Sequence, residues 1–462
     1  MLIRDSRKLV LFVVPVLFFF IVALKLYLDP VGAQDWVPSQ LKKTAKTEEV
    51  LSNDGSTHAS DPQPTPEVQV EVETEPAQQD ESPFGKGVIP QDISSTHHEL
   101  FSLSTKDKKF FEIKLRDLTA LNPNIIPHPT LDNTWIVVAQ WLQEGGNSLW
   151  FAELVCNAAF KDDVLTCITP PVTLPVTPTV GGNTCVGDLR YFQMSMGPHD
   201  GRVFYGPEKP YTTYGTNSMF TCLGQFVQDF RTLVSWSGDM ENLSEFRVGT
   251  ELQRPQPWRP MEKNFFLFWD SSGNMYTHYD IAPKRVFAQM NADGSAGPDL
   301  APAAAGDEQC LAKYLPKLAT DLESVHQTTN SLLVTMCGRD EPMCVPNDEN
   351  TFIIVIYQHK SYFNYHSVYE PYVMLFKQRA PFEIHAMSKK PIWIHGRKQY
   401  PEKSTSDMFY VTSVSWKSKE QKYHGFIGDE IFLGFGIEDV RTGGIDIRVG
   451  DLLTDMGLCF EG

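Results

Sequence analysis

Short runs of apolar and aromatic residues recur from about residue 101 to the end of the chain, separated by clusters of Gly, Pro, Asn and Asp. Runs of this length that are rich in Val, Ile, Phe, Tyr and Trp predict β-strands joined by turns. The predicted strands include residues 134–140, 149–155, 191–196, 264–269, 275–280, 352–357, 372–376, 408–414, 430–434 and 445–449. Residues 264–279 also predict a hairpin whose turn lies at 271–274.

The strand pattern favours one large β domain. One helix is predicted at 307–315, with a weaker extension beyond the kink expected at Pro316. Strands and helices do not alternate, which argues against a parallel α/β fold. About twenty short strands over roughly 360 residues are too many for one small sandwich. Five four-stranded propeller blades of about 70 residues each accommodate that number. No fixed-period repeat marks the blades. We therefore predict an all-β fold, a five-bladed β-propeller, over residues 101–462.

The first 28 residues are typical of a cytosolic tail and transmembrane signal-anchor. Residues 9–28 are apolar except for Lys25, and basic residues precede them at positions 4, 7 and 8. The run is long enough for a bilayer span, and the basic flank favours retention of the N-terminus in the cytosol. A cleaved signal peptide is the alternative, because residues 31–33 form a small-residue cleavage site.

Residues 29–100 predict a disordered acidic stem. Pro, Glu, Gln, Ser and Thr dominate there, and the stretch carries a large share of the net charge of −17. Such a segment buries too little apolar surface to offset its ordering entropy. No Lys/Arg stripe suggests a nucleic-acid partner. Anchor, stem and lumenal domain are the layout of Golgi glycosylation enzymes, so we expect a single-pass type II protein of the Golgi membrane, or a secreted protein if the N-terminus is cleaved.

The cysteines predict disulfides. All eight lie in the predicted lumenal domain, at positions 156, 167, 185, 222, 310, 337, 344 and 459. An even number in an oxidising compartment favours disulfide bonds, with the pairing left open. Positions 156 and 167, and 337 and 344, are close enough to staple local hairpins. No Cys or His spacing suggests zinc, so no metal is expected. A sequon at 242–244 is compatible with lumenal glycosylation.

Polar clusters at predicted strand ends are the candidates for chemistry. Asp-x-Asp, P-loop, Gly-x-Ser-x-Gly and His-Glu-x-x-His motifs are absent from the sequence, and no cofactor is expected. The clusters span residues 122–129, 197–202, 214–218, 262–264 and 424–430. Each alone is equally consistent with turn chemistry. Together they recur about once per predicted blade, as residues that face a propeller's central funnel would.

The turn at 197–202, Gly-Pro-His-Asp-Gly-Arg, is the centre of the prediction. It holds an imidazole, a carboxylate and a guanidinium within four residues, before a strand predicted to begin at Arg202. Turns of this kind mount polar groups at the edge of a rigid β scaffold. A plain surface turn with an Asp-Gly pair is the alternative.

The order of these clusters resembles a known family. The resemblance rests on five segments: Asn-Pro-x-Ile-Ile-Pro-His-Pro from 122 with the strand after it, the 197–202 turn, Glu-Lys-Asn-Phe from 262, Pro-Phe-Glu-Ile from 381 and Gly-Asp-Glu from 428. They are similar to five-bladed propellers of carbohydrate-active enzymes: the β-mannoside phosphorylases and hydrolases, and the related fungal and protozoan β-1,2-mannosyltransferases. A Gly-x-Glu-Asp-Pro-Arg turn lies in the active funnel of those proteins. Here His199 stands at the Glu position and Gly201 at the Pro position.

The resemblance implies that Asp200 is the acid/base carboxyl, because glycosyl transfer needs such a group beside the glycosidic oxygen. A second catalytic carboxylate is expected at Glu262, Asp429 or Glu208. Arg202 is expected to bind a sugar hydroxyl, a carboxylate or a donor phosphate, and His199 to tune Asp200 or bind phosphate.

Further substrate contacts are expected at the other strand ends. The candidates are Asn122, Asn124, His128, Asn217, Lys263, Asn264 and His424. Three aromatic residues, Trp269, Tyr279 and Tyr365, are predicted either to stack on sugars or to belong to the core.

Two classes of function follow. The first is a Golgi glycosyltransferase-like enzyme, or a related hydrolase or phosphorylase, that transfers or cleaves a mannose-type sugar on cell-wall or protein glycans. Its partners would be a glycan acceptor, a nucleotide sugar or sugar phosphate donor, and the membrane. The second is a non-catalytic lumenal propeller that binds glycan or protein. A missing second carboxylate in the funnel would favour the second.

The anchor prediction can be tested by carbonate extraction of microsomes. We expect the protein to stay in the membrane pellet, because an uncleaved apolar segment remains in the bilayer at high pH. Release into the supernatant would show that residues 9–28 are instead part of a cleaved signal peptide.

Overall fold

The computed structural model describes residues 92–143, 150–195, 197–241, 245–319, 322–363 and 365–460. All of them belong to one unit, residues 78–462. The predicted anchor, nearly all of the predicted stem and the sequon at 242–244 lie outside the described residues. Within the described ranges, no helix is long and apolar enough to cross a membrane.

The described chain is β almost throughout, as predicted. Its strands are β1 His98–Leu100, β2 Phe111–Lys114, β3 Ala120–Pro127, β4 Trp135–Trp141, β5 Glu153–Lys161, β6 Val164–Cys167, β7 Val172–Thr173, β8 His199–Tyr205, β9 Pro210–Asn217, β10 Leu223–Asp229, β11 Thr250–Glu251, β12 Phe266–Trp269, β13 Met275–Asp280, β14 Val286–Gln289, β15 Ser324–Gln327, β16 Leu332–Thr335, β17 Thr351–Phe363, β18 His366–Lys377, β19 Ile384–Ser388, β20 Ile392–Ile394, β21 Gln399–Tyr400, β22 Thr405–Ser406, β23 Phe409–Trp416, β24 His424–Phe426, β25 Glu430–Ile437, β26 Arg441–Arg448 and β27 Met456–Leu458. The α-helices are α1 Ile93–Thr96, α2 Asp307–Tyr314 and α3 Val449–Leu452, and the 3-10 helices are Gly187–Met194, Phe230–Thr232, Ala301–Ala303 and Pro401–Lys403.

The strands form several separate, mostly antiparallel sheets in a propeller-like arrangement. A nine-stranded sheet has the order β23-β25-β26-β2-β6-β5-β4-β3, with β7 beside β5. A four-stranded sheet runs β11-β10-β9-β8, a three-stranded sheet β12-β13-β14, and a seven-stranded sheet β24-β16-β17-β18-β19-β27 with β15 beside β17. Two short pairs are β1-β20 and β21-β22. The nine-stranded sheet joins the first and last parts of the domain through β2, so the number of sheets does not give a number of blades, and five blades stays a prediction.

Aromatic side chains fill the space between neighbouring sheets. Phe268 on β12 packs edge-on against Phe376 and Phe382, with ring centroids 5.2 Å apart in both pairs. All three rings are at most 1% exposed. Such edge-to-face pairs bury large apolar areas and fix the spacing of the sheets that carry them. The three-stranded and seven-stranded sheets are therefore held in a defined position.

Two local predictions are confirmed. Strands β12 and β13 form the predicted hairpin, in which Trp269 pairs with Met275. The predicted helix is present as α2, but among the described residues of its predicted extension, 316–319 and 322–323, none is helical. Pro316 has no N–H to donate and its ring clashes with the preceding turn, so the helix ends before it.

The strand predicted at 191–196 is wrong. Residues Gly187–Met194 form a 3-10 helix, and the predicted alternation leaves Tyr191 and Met194 more than half exposed. Alternation alone does not make a strand, because a strand also needs a neighbouring edge with which to form hydrogen bonds. The next strand, β8, begins at His199 and not at Arg202, so the polar turn of the prediction is the first part of a strand.

Four disulfides connect all eight cysteines. Two are the local pairs expected from the sequence, Cys156–Cys167 and Cys337–Cys344. The other two link distant segments: Cys185–Cys222 ties the chain before β8 to β10, and Cys310–Cys459 ties α2 to the end of the chain. Cross-links between distant residues restrict the unfolded chain most, so this last one is expected to stabilise the domain.

The folded part begins slightly before the predicted boundary at 101. Strand β1 pairs in parallel with β20, with His98 opposite Ile392. The side chain of Leu100 is 1% exposed and belongs to the main core. Leu100 therefore contributes to the folded domain, although the sequence placed it in the stem.

Candidate functional site at the start of strand β8

Asp200 has an unusual backbone conformation. Its φ angle is +51°, in the left-handed region that residues other than glycine rarely adopt. The pairing of β8 with β9 shifts register between His199 and Arg202, so Asp200 lies in a β-bulge. Strained backbone of this kind persists only where the surroundings enforce it, and it is concentrated at functional sites.

Two side chains of the nine-stranded sheet hold the backbone at Asp200. Gln140 on β4 and Glu153 on β5 lie directly opposite each other. The Gln140 Oε1 atom accepts the N–H of Asp200 at 3.0 Å, and the Glu153 Oε1 atom accepts the N–H of Gly201 at 2.9 Å. A Cβ atom at position 201 would lie 2.7 Å from Cδ of Glu153, which explains why glycine is found there.

Two asparagines of β3 complete the support. The amide of Asn124 donates from Nδ2 to Gly201 O at 2.8 Å, and its Oδ1 accepts the N–H of Val203 at 3.2 Å. Asn122, itself at φ +55°, reaches the carboxylate with Nδ2 3.4 Å from Asp200 Oδ1. We call Asn122, Asn124, Gln140 and Glu153 the polar clamp. It attaches the start of β8 to the neighbouring sheet.

Arg202 is fixed by backbone carbonyls. Its side chain is buried, with Nε donating to Thr328 O and Nη1 donating to Asp200 O, both at 3.1 Å. The guanidinium therefore lies beside the Asp200 backbone. Its positive charge also acts on the buried hydroxyl of Tyr410.

A polar cavity opens at this point. Its volume is about 20 Å³, enough for a water molecule. The lining residues come from β8, β9, β10, the start of β12 with the segment before it, and the segment after β15: His199, Asp200, Arg202, Phe204, Thr213, Gly215, Leu223, Gln225, Lys263, Asn264, Phe265, Phe266, Thr328, Thr329 and Asn330. Of the predicted site residues, the cavity therefore brings together His199, Asp200, Arg202, Lys263 and Asn264.

His199 is held as a neutral imidazole. Its Nε2 lies 2.9 Å from Ser195 Oγ, and its ring packs against Phe151 with centroids 3.9 Å apart. Burial lowers the pKa of His199, and Lys263 adds to the decrease, whereas Asp200 opposes it. A neutral ring can accept or donate a hydrogen bond at the cavity, and it places no positive charge beside the Asp200 carboxylate.

Glu153 is the site residue that sequence reasoning missed. Its side chain is 2% exposed, and burial raises its pKa to about 8, an increase to which the Asp200 charge adds. The N–H of Gly201 and the charge of Arg202 oppose the shift. One signal was available: a lone acidic residue in an otherwise apolar strand, where unpaired charge is costly.

A second missed carboxylate is Asp439, in the turn between β25 and β26. Both turn residues, Glu438 and Asp439, have positive φ angles of +53° and +50°, in a turn closed by the N–H of Val440 to Ile437 O at 3.1 Å. Tight turns of this shape normally carry Asn-Gly, because both central residues have positive φ angles. The backbone of Glu438 and Asp439 is therefore strained. Asp439 is exposed to solvent, but its partial burial raises its pKa, and the charges of Asp200 and Glu438 add to the increase.

Two of the candidate second carboxylates have other partners. Glu262 is buried in an ion pair with Arg254, at 3.2 Å, and accepts the N–H of Arg259 at 2.7 Å. Asp429 pairs with Arg339 at 2.7 Å and accepts the N–H of Phe426 at 2.7 Å. Neither lines the cavity.

The remaining candidates lie outside the cavity lining. Glu208 is exposed in the turn between β8 and β9. His128 Nδ1 accepts the N–H groups of Thr130 and Leu131, at 3.2 and 3.1 Å, and His424 Nε2 lies 2.8 Å from Thr335 Oγ1.

Four further predicted residues do not line the cavity. The buried Oδ1 of Asn217 has no partner among the described residues. Of the aromatic candidates, Trp269 and Tyr279 are core residues, whereas Tyr365 is 95% exposed at the tip of the β17–β18 hairpin.

No family model matches the chain, and no curated protein matches it. Solved structures do. A β-1,2-mannobiose phosphorylase from Listeria innocua matches 77% of this chain and 96% of its own, at 10% identity and a TM-score of 0.42. A GDP-Man-dependent mannosyltransferase from Leishmania mexicana matches 73% and 88%, at 11% identity and a TM-score of 0.37. A GH43 endo-arabinanase from Bacillus licheniformis matches 73% and 96%, at 10% identity and a TM-score of 0.37.

The chain is thus similar to carbohydrate-active enzymes with β-propeller folds, in agreement with the resemblance found in the sequence. The likeness concerns the fold.

The tight contact between Gly201 and Glu153 predicts the effect of Gly201→Ala. The added Cβ would meet Glu153 at 2.7 Å and displace either the clamp or the strand. Overpacking of a buried site costs about 1–3 kcal/mol, so we expect a lower unfolding temperature. Gly428→Ala is the matched control, because nothing lies within 4 Å of a Cβ at that position. Equal unfolding temperatures for the two variants would contradict the described clamp.

Proposed function

We propose that the domain is a carbohydrate-active enzyme that transfers or cleaves a mannose-type sugar at Asp200. One observation carries the proposal: the polar clamp holds the backbone of Asp200 in a strained conformation at a cavity that Arg202 and Lys263 also line. A plain surface turn needs no such support. The strain is instead what a preorganised catalytic group requires.

The chemistry assigned to Asp200 is proton transfer to or from the glycosidic oxygen. Cleavage of a glycosidic bond leaves an alkoxide unless an acid protonates it, and a carboxyl group at hydrogen-bond distance performs that step. The cavity has room for a water molecule but not for a sugar ring, so the sugar would bind at its opening. Asp200 is half-buried and Lys263 exposed there.

The donor would be anionic. The exposed ammonium group of Lys263 has no ion pair with any residue in the described part of the chain. Arg202, which lines the same cavity, is held by backbone carbonyls and by the hydroxyl of Tyr410. A cationic group such as that of Lys263, beside a reacting carboxyl and next to the positive charge of Arg202, suits the phosphate of a nucleotide sugar or a sugar phosphate.

The nucleophile sets the number of carboxylates that the reaction needs. Asp200 is the one carboxylate among the described residues that line the cavity. An already ionised phosphate needs no general base, whereas water or a sugar hydroxyl does. Asp439, which interacts electrostatically with Asp200, is our candidate for that base. We leave Glu262 and Asp429 out of the proposed machinery, because arginines already neutralise them.

A non-catalytic glycan-binding domain is the second candidate. The single carboxylate in the cavity lining favours it, because binding requires hydrogen-bonding groups and no acid/base pair. The strained backbone at Asp200 favours the enzyme. Turnover separates the two candidates.

We also propose the lumen of the Golgi as the site of action, with the chain as a single-pass type II protein. Four disulfides in the folded domain support an oxidising compartment. The anchor and stem of that proposal rest on the sequence alone.

Asp200→Asn tests the catalytic role. The amide keeps the shape of the side chain and removes the titrating group, so binding should survive while turnover falls by about 10²–10⁴-fold. The assay incubates the protein with GDP-mannose or mannose 1-phosphate and β-1,2-mannobiose, and measures released GDP, released phosphate and extended oligosaccharide. Asp348→Asn is the matched control, because Asp348 pairs with the exposed Arg379.

Unchanged turnover in Asp200→Asn would remove Asp200 from the chemistry. Binding of mannobiose by the wild-type protein, with no turnover of either donor, would favour the glycan-binding domain.

A further inference from the structure

We propose that Glu153 keeps its proton in the folded protein and acts as a positioning residue that holds Asp200 in its strained conformation. The functional half of this inference rests on the proposed role of Asp200. Its structural half, a neutral buried glutamic acid in the clamp, can be tested without any substrate.

The contacts of Glu153 favour the neutral acid. One carboxyl oxygen, Oε1, accepts a single hydrogen bond from the N–H of Gly201 at 2.9 Å. The other, Oε2, is buried and has no partner among the described residues. An ionised carboxylate spreads its charge over both oxygens and normally needs several donors when it is removed from water. A protonated carboxyl avoids most of that cost.

The surroundings of Glu153 also favour its protonated form on balance. Asp200 on β8 places a negative charge nearby, and Arg202 on the same strand opposes it. The residue opposite on β4 is the uncharged Gln140, and on the other side the backbone carbonyl of Glu153 accepts the N–H of Leu174. Burial, the largest influence, raises the pKa of Glu153 to about 8.

The neutral form has a consequence for Asp200. Ionised Glu153 would be stable only when hydrated, and water can reach it only if the segment at Asp200 and Gly201 moves away. Loss of the proton should therefore release the clamp and the left-handed conformation of Asp200. Holding the proton up to about pH 8 keeps the site assembled at neutral pH.

The proton also links stability to pH. Below about pH 4.5 the carboxyl is protonated in both the folded and the unfolded chain. Between about pH 4.5 and pH 8 the folded protein retains the proton and the unfolded chain loses it. Since the folded state then binds more protons, the contribution of Glu153 to stability falls as the pH rises through this range.

The test compares the full chain with its Glu153→Gln variant, in which a neutral amide of the same shape replaces the acid. Unfolding temperatures are measured from pH 5 to pH 8. We expect the wild-type protein to lose stability relative to Glu153→Gln as the pH rises. We also expect a carboxylic-acid C=O band in the infrared spectrum of the wild-type protein at pH 7 that the variant lacks. The proposal would be overturned if the unfolding temperatures of the two proteins changed in parallel with pH and if their infrared spectra showed the same carboxylic-acid absorption.

A second variant covers a failure to fold. Glu153→Met keeps about the same side-chain volume and has no titrating proton, so it allows the same comparison of unfolding temperatures and infrared spectra. If neither variant folds while Asp348→Asn does, a neutral side chain at position 153 does not sustain the clamp and the proposal is wrong.

Turnover of GDP-mannose adds a readout of positioning. We expect kcat/KM of the wild-type protein to fall above about pH 8 and this decrease to be absent in Glu153→Gln, which should keep most of its turnover at pH 7. A decrease that persists in Glu153→Gln, together with loss of turnover in Asp200→Asn, would reject the role of Glu153 and leave the proposed function standing. If no donor is turned over, the stability and infrared comparison still decides.

Discussion

Hydrogen bonds from one sheet to the first residues of another hold the candidate site together. Gln140 and Glu153 lie opposite each other on β4 and β5 and accept the successive N–H groups of Asp200 and Gly201. A left-handed backbone at a residue other than glycine costs on the order of 1–3 kcal/mol, and these two bonds, with those of Asn124, offset it. The direction of the Asp200 carboxylate therefore depends on side chains about 50 residues earlier in the chain.

The same constraint accounts for the composition of the turn. Gly197 has φ +94°, and a Cβ there would lie 2.0 Å from the carbonyl oxygen of Phe151. Gly201 must leave room for Glu153 and must offer it an N–H, which proline cannot do. The two glycines thus allow the start of β8 to approach the nine-stranded sheet closely. His199 and Asp200 are left at the cavity as the side chains able to do chemistry.

The sequence predicted the all-β class, the hairpin of β12 and β13 and helix α2, because each follows from local periodicity or turn chemistry. It placed residues 199–202 in a turn, whereas they form the start of β8. It did not predict the partners of that turn. Glu153 was placed correctly within a predicted strand, but its role depends on which strand of another sheet approaches it, and one sequence carries no such information. The strand predicted at 191–196 failed for a related reason, since alternation does not show whether a pairing edge is present. Asp439 was missed because its turn is brought near Asp200 only by the closure of the fold.

The most direct test of Asp200 as the reacting centre is a crystal structure of the protein soaked with β-1,2-mannobiose. Such a structure locates the sugar independently of whether a suitable donor is known. We predict that it binds at the opening of the cavity, with an Asp200 carboxylate oxygen within hydrogen-bond distance, about 2.5–3.2 Å, of its glycosidic or a ring hydroxyl oxygen. Sugar bound elsewhere, for example between Asp132 and Lys417 on the surface that carries Asp429, with water alone at Asp200, would contradict the account.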